Sequence, residues 1–63
     1  MLTPKELANK LINYRIKNNL YQEALGKEIG ISIKTVVSLE KERKVTPRIQ
    51  AIVENFLKEK GEI

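Results

Sequence analysis

Cysteine, histidine, aspartate and tryptophan are all absent from the 63 residues of this chain. Without cysteine there can be neither a disulfide nor a thiolate metal site. Without histidine, cysteine and aspartate, the usual general bases, thiol nucleophiles and paired carboxylates are missing or incomplete. Ser32 and Ser38 have no base near them in the sequence. We therefore expect no enzymatic activity, no cofactor and no metal site.

Long hydrophobic runs are absent as well. The apolar stretches are short and interrupted by charge, so no membrane-spanning segment is expected. The first residues include Glu6 and no apolar run, which argues against a secretory signal and favours a cytoplasmic location. Residues 1–63 have room for one small domain, and a hydrophobic content of 41% suffices for one core.

Positive charge exceeds negative charge, with 12 lysines and arginines against 8 glutamates. The excess alone is weak evidence for an anionic ligand, because many small proteins have a basic surface that only contacts solvent. Its position in the sequence is more informative. Two glutamates, Glu40 and Glu42, stand among five cations in a short stretch: Lys34, Lys41, Arg43, Lys44 and Arg48. Such a cluster is the electrostatic footprint expected of a phosphate-binding surface.

Residues 22–39, QEALGKEIGISIKTVVSL, organise the rest of the chain. Leu25 and Ile29 are four residues apart, and Val36 and Leu39 are three apart. These spacings place each pair on one face of a helix. The stretch therefore predicts two short helices, each with one buried face.

The residues between these two helices predict a sharp turn. Gly30 follows the first helix at the position where a left-handed residue often ends a helix. Ser32 can cap the second helix with its hydroxyl. Gly26 lies inside the first helix, where glycine costs about 1 kcal/mol relative to alanine, and suggests that another segment passes close by. Together these features predict a helix-turn-helix at about residues 22–40, the unit that inserts its second helix into the DNA major groove.

The same stretch resembles the helix-turn-helix of phage repressors, Cro proteins and the related short bacterial regulators of the XRE type. The slots of that pattern are filled by Gln22, Leu25, Gly26, Ile29, Gly30, Ile31, Val36 and Leu39, with Glu40 next. The resemblance covers roughly residues 7–57. It departs from the pattern at Tyr21, where a short capping residue is usual, and at Lys41-Glu42, where Asn-Gly is common.

The resemblance implies that Arg15 and Glu40 form an ion pair and that alanine can replace Gly26. An arginine at the slot of Arg15 pairs in this family with the glutamate that closes the recognition helix, here Glu40. The alternative is that Arg15 extends its charged end to solvent. Alanine is tolerated in the family at the slot of Gly26, so Gly26→Ala is expected to be neutral or mildly stabilising.

The predicted recognition helix runs from about residue 33 to residue 41. By match to the family's base-reading slots, its base-reading residues are Ile33, Lys34 and Ser38, with Val37 also on the outer face. Lys34 can donate to guanine O6 and N7, and Ser38 can donate or accept. Ile33 and Val37 could meet thymine methyl groups. Alternatively, their apolar character indicates that something else covers this face.

A second group of residues is predicted to hold the DNA backbone. Its members are Tyr21, Gln22, Ser32, Thr35, Arg43, Lys44 and Arg48. The family uses the glutamine at the slot of Gln22 to hold a phosphate at a helix N-terminus, which favours anions in any case; the alternative is a solvated polar side chain. For Tyr21 a phosphate hydrogen bond and partial burial on the core are both open. The family's arginine at the slot of Arg48 can reach the minor groove.

The flanking segments predict two more helices. Thr3-Pro4 begins one at about residues 4–17, with Glu6 completing a capping box, and Thr46-Pro47 begins another at about residues 47–58. On the first of these, Ile12 and Ile16 widen the apolar stripe. They are expected either to pack under the last helix or to form a partner or dimer surface.

These expectations combine into an all-α domain of four helices, similar to the DNA-binding domain of lambda-type repressors. The resemblance implies sequence-specific binding of double-stranded DNA and regulation of transcription by a small Cro-type or phage or mobile-element repressor. Its operators would be palindromic, bound by a homodimer that is weak in solution. The alternative is a protein-interaction module of the same fold, such as an antitoxin or anti-repressor, that uses the outer face of the third helix. A purely structural bundle is disfavoured by the local cluster of cations.

Overall fold

The computed structural model describes all 63 residues and contains four helices and no strand. The helices are α1 (Pro4–Lys17), α2 (Gln22–Ile29), α3 (Ile33–Glu40) and α4 (Pro47–Glu59). The predicted all-α fold of four helices is confirmed. α3 ends one residue earlier than predicted, and α4 extends one residue further. None of the four helices combines the length and the apolar character that crossing a membrane requires.

α1 and α4 begin in the same way, at a threonine followed by proline. The Thr3 hydroxyl accepts the Glu6 amide at 3.1 Å, while the Glu6 carboxylate accepts the Thr3 amide at 2.9 Å. This is the predicted capping box, and the bond from the Thr3 amide, followed by the nearby Thr3 hydroxyl, lowers the pKa of the Glu6 carboxyl. Thr46 likewise accepts the amide of Ile49 at 3.2 Å. These starts are local, so the sequence predicts them well.

The turn that follows α3 contains a residue, Glu42, whose side chain does not favour the backbone conformation there. Glu42 adopts φ of 62°, the left-handed region. Its amide donates to the Leu39 carbonyl and the Arg43 amide to the Ser38 carbonyl, both at 3.1 Å, which is a Schellman motif. α1 ends the same way at Asn19 and α4 at Gly61. Glycine and asparagine enter this conformation more readily than glutamate, so Glu42 is the strained member of the three.

The core is built from all four helices. Its buried members are Leu7, Leu11, Tyr14, Leu25, Val36, Leu39, Val53, Phe56 and Leu57. The rings of Tyr14 and Phe56 meet edge to face, with centroids 5.2 Å apart. The Tyr14 hydroxyl donates to the carboxylate of Glu28 on α2, and this bond, with burial, raises the pKa of Tyr14 to about 12. The pair thus links α1 to α2 at the edge of the core.

The prediction that Ile16 packs under the last helix is wrong. Ile16 is 65% exposed, and Ile12 is only half-buried. Leu7, Leu11 and Tyr14 already fill the space between α1 and the other helices. Ile12 and Ile16 lie to one side of that stripe and are left at its edge.

Gly26 lies at a close approach between α2 and both the following turn and α3. A Cβ atom at this position would lie 2.8 Å from the carbonyl oxygen of Ile31 and 3.4 Å from a methyl group of Val36. The first neighbour is backbone and cannot rotate away. The expectation that Gly26→Ala is neutral is therefore contradicted by the structure, because the turn after α2 leaves no room for a methyl group.

Candidate nucleic-acid interface

The turn at residues 30–32 sets how α3 leaves α2. Gly30 adopts φ of 94°, and the amides of Gly30 and Ile31 both donate to the Gly26 carbonyl, at 2.8 and 2.9 Å. Ser32 then caps α3 by accepting the Thr35 amide at 3.2 Å. The Ser32 and Thr35 hydroxyls are also 2.9 Å apart. Both hydroxyls are thus engaged with each other at the start of α3.

A polar cluster joins the ends of α1, α2 and α3. Arg15 Nε donates to Glu40 Oε2 at 2.8 Å, and its Nη2 donates to Oε1 at 3.0 Å. The remaining guanidinium nitrogen donates to the Leu20 carbonyl at 3.2 Å. The two side chains that the resemblance pairs therefore meet, and the carboxylate of Glu40 is almost fully shielded from solvent.

Gln22 belongs to this cluster. Its amide nitrogen donates to Glu40 Oε1 at 3.2 Å, so the same oxygen accepts from Arg15 and from Gln22. Neither sequence-based alternative, a phosphate ligand or a solvated side chain, included this bond.

The preceding residue, Tyr21, makes no side-chain cap and is 85% exposed, which excludes its burial on the core. The first turn of α2 is thus left without a side-chain cap.

The outward side of α3 carries the predicted base-reading residues. Val36 and Leu39 face the core and are buried. Ile33 is 48% exposed and Lys34 is exposed, whereas Val37 and Ser38 are half-buried. The exposed surface is therefore concentrated in the first turn of the helix.

A shallow groove separates α3 from the loop that follows it. Lys34, Thr35 and Ser38 line it from α3, and Lys44, Val45, Thr46 and Ile49 line it from the loop and the start of α4. Two lysines and three residues with hydroxyl groups thus line one depression. The structure brings Lys34 and Lys44 to the same groove, although the sequence suggested separate tasks for them.

The cations of this region are free of internal partners. Lys34, Lys41, Arg43, Lys44 and Arg48 are all exposed, and none forms a salt bridge. Elsewhere Arg15, Lys17, Lys27 and Lys60 are each paired with a glutamate. Of the 12 lysines and arginines, the others without a salt bridge are Lys5, Lys10 and Lys58, which are also exposed. Most of the unpaired positive charge therefore lies on α3, the following loop and the start of α4, where it is available to an anionic ligand.

Three polar contacts beside this region were not predicted from the sequence. The backbone amide of Leu2 donates to the Glu54 carboxylate at 3.0 Å, and the side-chain amide of Gln50 donates to the Leu2 carbonyl at 2.7 Å. Gln50 and Glu54 also bond to each other at 2.6 Å, which lowers the pKa of Glu54. Their i, i+4 spacing on α4 was the available sign. The contacts hold the segment before α1 against α4, next to Lys44 and Val45.

Comparison with known proteins identifies no similar protein. No family model, no curated protein and no solved structure matches this chain. The case for a function therefore rests on the residues of the chain and on their arrangement.

Proposed function

We propose that this protein is a sequence-specific double-stranded DNA-binding regulator of transcription, of the type of a small Cro protein or a phage or mobile-element repressor. In this proposal α2 and α3 form a helix-turn-helix and α3 enters the major groove. The observation that supports it most is the set of five exposed, unpaired cations on α3, the following loop and the start of α4. A polyanion is the ligand that such a surface fits best.

The proposed roles divide between bases and backbone. Lys34 and Ser38 read hydrogen-bonding groups on base edges, and Ile33 with Val37 provides apolar contacts. Arg43, Lys44 and Arg48 neutralise phosphates, with Arg48 also a candidate for the minor groove. Ser32 and Thr35 lie near the backbone, and the exposed phenol of Tyr21 can donate to a phosphate.

Gln22 takes a different role from the one that the resemblance implies. Because its amide already donates to Glu40, we propose that it acts mainly by fixing α2 to α3 together with Arg15. A phosphate at the first turn of α2 would then be held chiefly by the backbone amides, which have no side-chain cap.

The operators would be palindromic, and the protein would pair on them. Two copies of a helix-turn-helix read half-sites about one helical turn apart, or multiples of it. We expect a monomer or weak dimer in solution that pairs when both half-sites are present. Sedimentation that finds a tight dimer at nanomolar concentration would contradict this part of the proposal.

Selection of binding sites from random duplex DNA tests the function directly. Enrichment of a palindrome would support sequence-specific binding and pairing together. Failure to enrich any sequence, with a protein that is folded by circular dichroism, would contradict the proposal.

The second candidate is a protein-interaction module of the same fold, such as an antitoxin or anti-repressor. The observation in its favour is that the apolar side chain of Ile33 is 48% exposed to solvent on the outer side of α3, where a protein partner could cover it. In this case Ile33 and Val37 would contact a protein, and site selection would yield no enriched duplex.

A further inference from the structure

The loop between α3 and α4 is fixed at its two ends but not in the middle. At its start, the Arg43 amide donates to the Ser38 carbonyl at 3.1 Å. At its end, Thr46 caps α4. Between these points, Lys44 and Val45 form no backbone–backbone hydrogen bond. The conformation of the loop at these two residues therefore depends on the side chains packed around them.

Lys44 and Val45 have neighbours on two sides. On one side they line the groove that they share with α3. On the other they line a second depression, whose remaining members are Met1, Leu2, Pro4, Pro47 and Gln50. Leu2 and Val45 are both half-buried, and both pack against the core. The segment before α1 is thus the support of the loop on this second side.

Two side chains of α4 hold that segment. Glu54 Oε2 accepts the backbone amide of Leu2 at 3.0 Å, and Gln50 Nε2 donates to the Leu2 carbonyl at 2.7 Å. Gln50 Nε2 also donates to Glu54 Oε2 at 2.6 Å. Both polar backbone groups of Leu2 are therefore fixed to α4 by a closed set of three hydrogen bonds.

We propose that Glu54 and Gln50 are positioning residues for the loop between α3 and α4. By fixing Leu2 to α4, they hold this loop in the conformation that presents Lys44 to a DNA phosphate. The inference rests on the proposed DNA-binding function and adds the residues that order the loop before DNA binds. Neither positioning residue touches DNA. Binding is tighter because the entropy of ordering the loop is lost on folding rather than on association.

The test compares Glu54→Ala with Glu54→Gln. Both variants remove the same negative charge, so the general attraction to DNA changes equally. Only alanine removes the acceptor, because the glutamine carbonyl can replace Oε2 and its amino group can replace Oε1, which accepts no hydrogen bond. We expect Glu54→Ala to bind a duplex enriched by site selection about fivefold more weakly than Glu54→Gln, the effect of ordering roughly one residue on binding.

Matched controls come from Glu59, an exposed glutamate on the same helix that forms no ion pair. Glu59→Ala and Glu59→Gln should bind the duplex equally. Circular dichroism at the temperature of the binding assay shows that each variant is folded. If Glu54→Ala does not fold, Gln50→Ala takes its place, since it removes the bond to the Leu2 carbonyl without changing charge, and it should weaken binding relative to the wild type.

A second comparison asks whether the effect passes through Lys44. In a Lys44→Ala background, Glu54→Ala and Glu54→Gln should bind with nearly equal affinity, because the ammonium group that the loop presents is gone. A role that only stabilises the fold would not depend on Lys44 in this way. A fivefold difference that persists in this background would overturn the positioning role.

The free protein supplies a readout that needs no DNA. NMR order parameters of the Lys44 and Val45 amides should be lower in Glu54→Ala than in Glu54→Gln, since the loop loses its support. Equal order parameters in the two variants would overturn the inference.

Failure of this inference can be told apart from failure of the proposed function. If a duplex is enriched but Glu54→Ala and Glu54→Gln bind it equally, the segment before α1 does not position the loop, and the DNA-binding function stands. If no duplex is enriched, both are overturned.

Discussion

Arg15 and Glu40 form a two-pronged ion pair across 25 residues of sequence, with 2.8 Å between Nε and Oε2 and 3.0 Å between Nη2 and Oε1. The exposed fraction of the side chain is 23% for Arg15 and 8% for Glu40. The pair is therefore shielded from water on the carboxylate side. It connects the end of α1 to the last residue of α3.

Breaking this pair from either side should destabilise the protein. Arg15→Ala leaves the shielded Glu40 carboxylate with Gln22 alone, and Glu40→Ala leaves the guanidinium with the Leu20 carbonyl. We expect each variant to lose about 2–5 kcal/mol of unfolding free energy. The double variant should lose less than the sum of the two. Urea unfolding of the four proteins measures this cycle, and additive losses would show that the side chains do not interact.

Gly26→Ala should destabilise the protein in spite of the higher helix propensity of alanine. The added Cβ would lie 2.8 Å from the Ile31 carbonyl oxygen, which belongs to the turn backbone. Overpacking of this kind costs typically about 1–3 kcal/mol, against a gain of about 1 kcal/mol from propensity. We expect a lower melting temperature, and a far larger loss for Gly26→Leu. Lys27→Ala, an exposed change in the same helix, is the control, and a Gly26→Ala melt above wild type would contradict the close approach.

Glu42→Gly should stabilise the protein. Glu42 has φ of 62° at the end of α3, a conformation that costs a residue with a side chain about 1–2 kcal/mol. Glycine removes this strain, although it makes the unfolded chain more flexible, so we expect a net gain of about 0.5–1 kcal/mol. Glu42→Gln separates the charge from the backbone effect, because it removes the charge and keeps the side chain. Equal melting temperatures for the two variants would mean that strain at this turn is unimportant.

The bond between Tyr14 and Glu28 should make stability depend on pH in the alkaline range. The pKa of Tyr14 is raised from its ordinary value of 10.0 to about 12, first because the hydroxyl donates to Glu28 and then because it is buried. A group whose pKa is higher in the folded protein contributes stability below its unfolded pKa and loses it as the pH rises through the folded one. The contribution is thus present below pH 10 and declines from pH 10 to pH 12.

Tyr14→Phe should show a shallower decline of unfolding free energy than the wild type in that range. Because lysines also titrate there, the informative quantity is the difference between the two curves. Tyr21→Phe serves as the control, since Tyr21 is 85% exposed and makes no cap. Parallel curves for Tyr14→Phe and the wild type would contradict the role of this bond.

Replacing Lys34 and replacing Lys44 should have different effects on DNA binding, although both residues line the groove between α3 and the loop. Lys34→Ala should relax the preference at particular base positions, at a loss of roughly 1–3 kcal/mol of discrimination, if Lys34 makes the proposed contact to guanine. Lys44→Ala should weaken all duplexes about equally and reduce the salt slope by about one ion. Lys10→Ala, on the exposed side of α1, is the control. Both effects are measured by binding to operator and scrambled duplex at several salt concentrations. Identical specificity profiles for Lys34→Ala and Lys44→Ala would mean that the outer side of α3 does not enter the DNA major groove.

The helices of this protein were predictable because their signals are local. Thr3-Pro4 and Thr46-Pro47 begin α1 and α4, and Ser32 caps α3, at the positions that the sequence indicates. Each signal involves residues within one turn of one another, and the left-handed conformation of Gly30 likewise follows from its missing side chain. The burial of Leu25, Val36 and Leu39 also follows from residue spacing.

The candidate site was predictable only in part. The exposure of Lys34, Arg43, Lys44 and Arg48 agrees with what charge alone suggests, since an unpaired cation stays in water. The bond from Gln22 to Glu40 could not be foreseen, because it depends on how closely α2 and the end of α3 approach each other.

Sequence alone therefore determined the four helices, the N-caps Thr3, Ser32 and Thr46, and the position of the basic cluster. The tertiary structure decided that Ile16 is left exposed and that a carbonyl of the turn leaves no room for a side chain at Gly26. The physical reason is the same in both cases. Helix formation is governed by neighbours within four residues, whereas these two features depend on where separate segments come to lie in space.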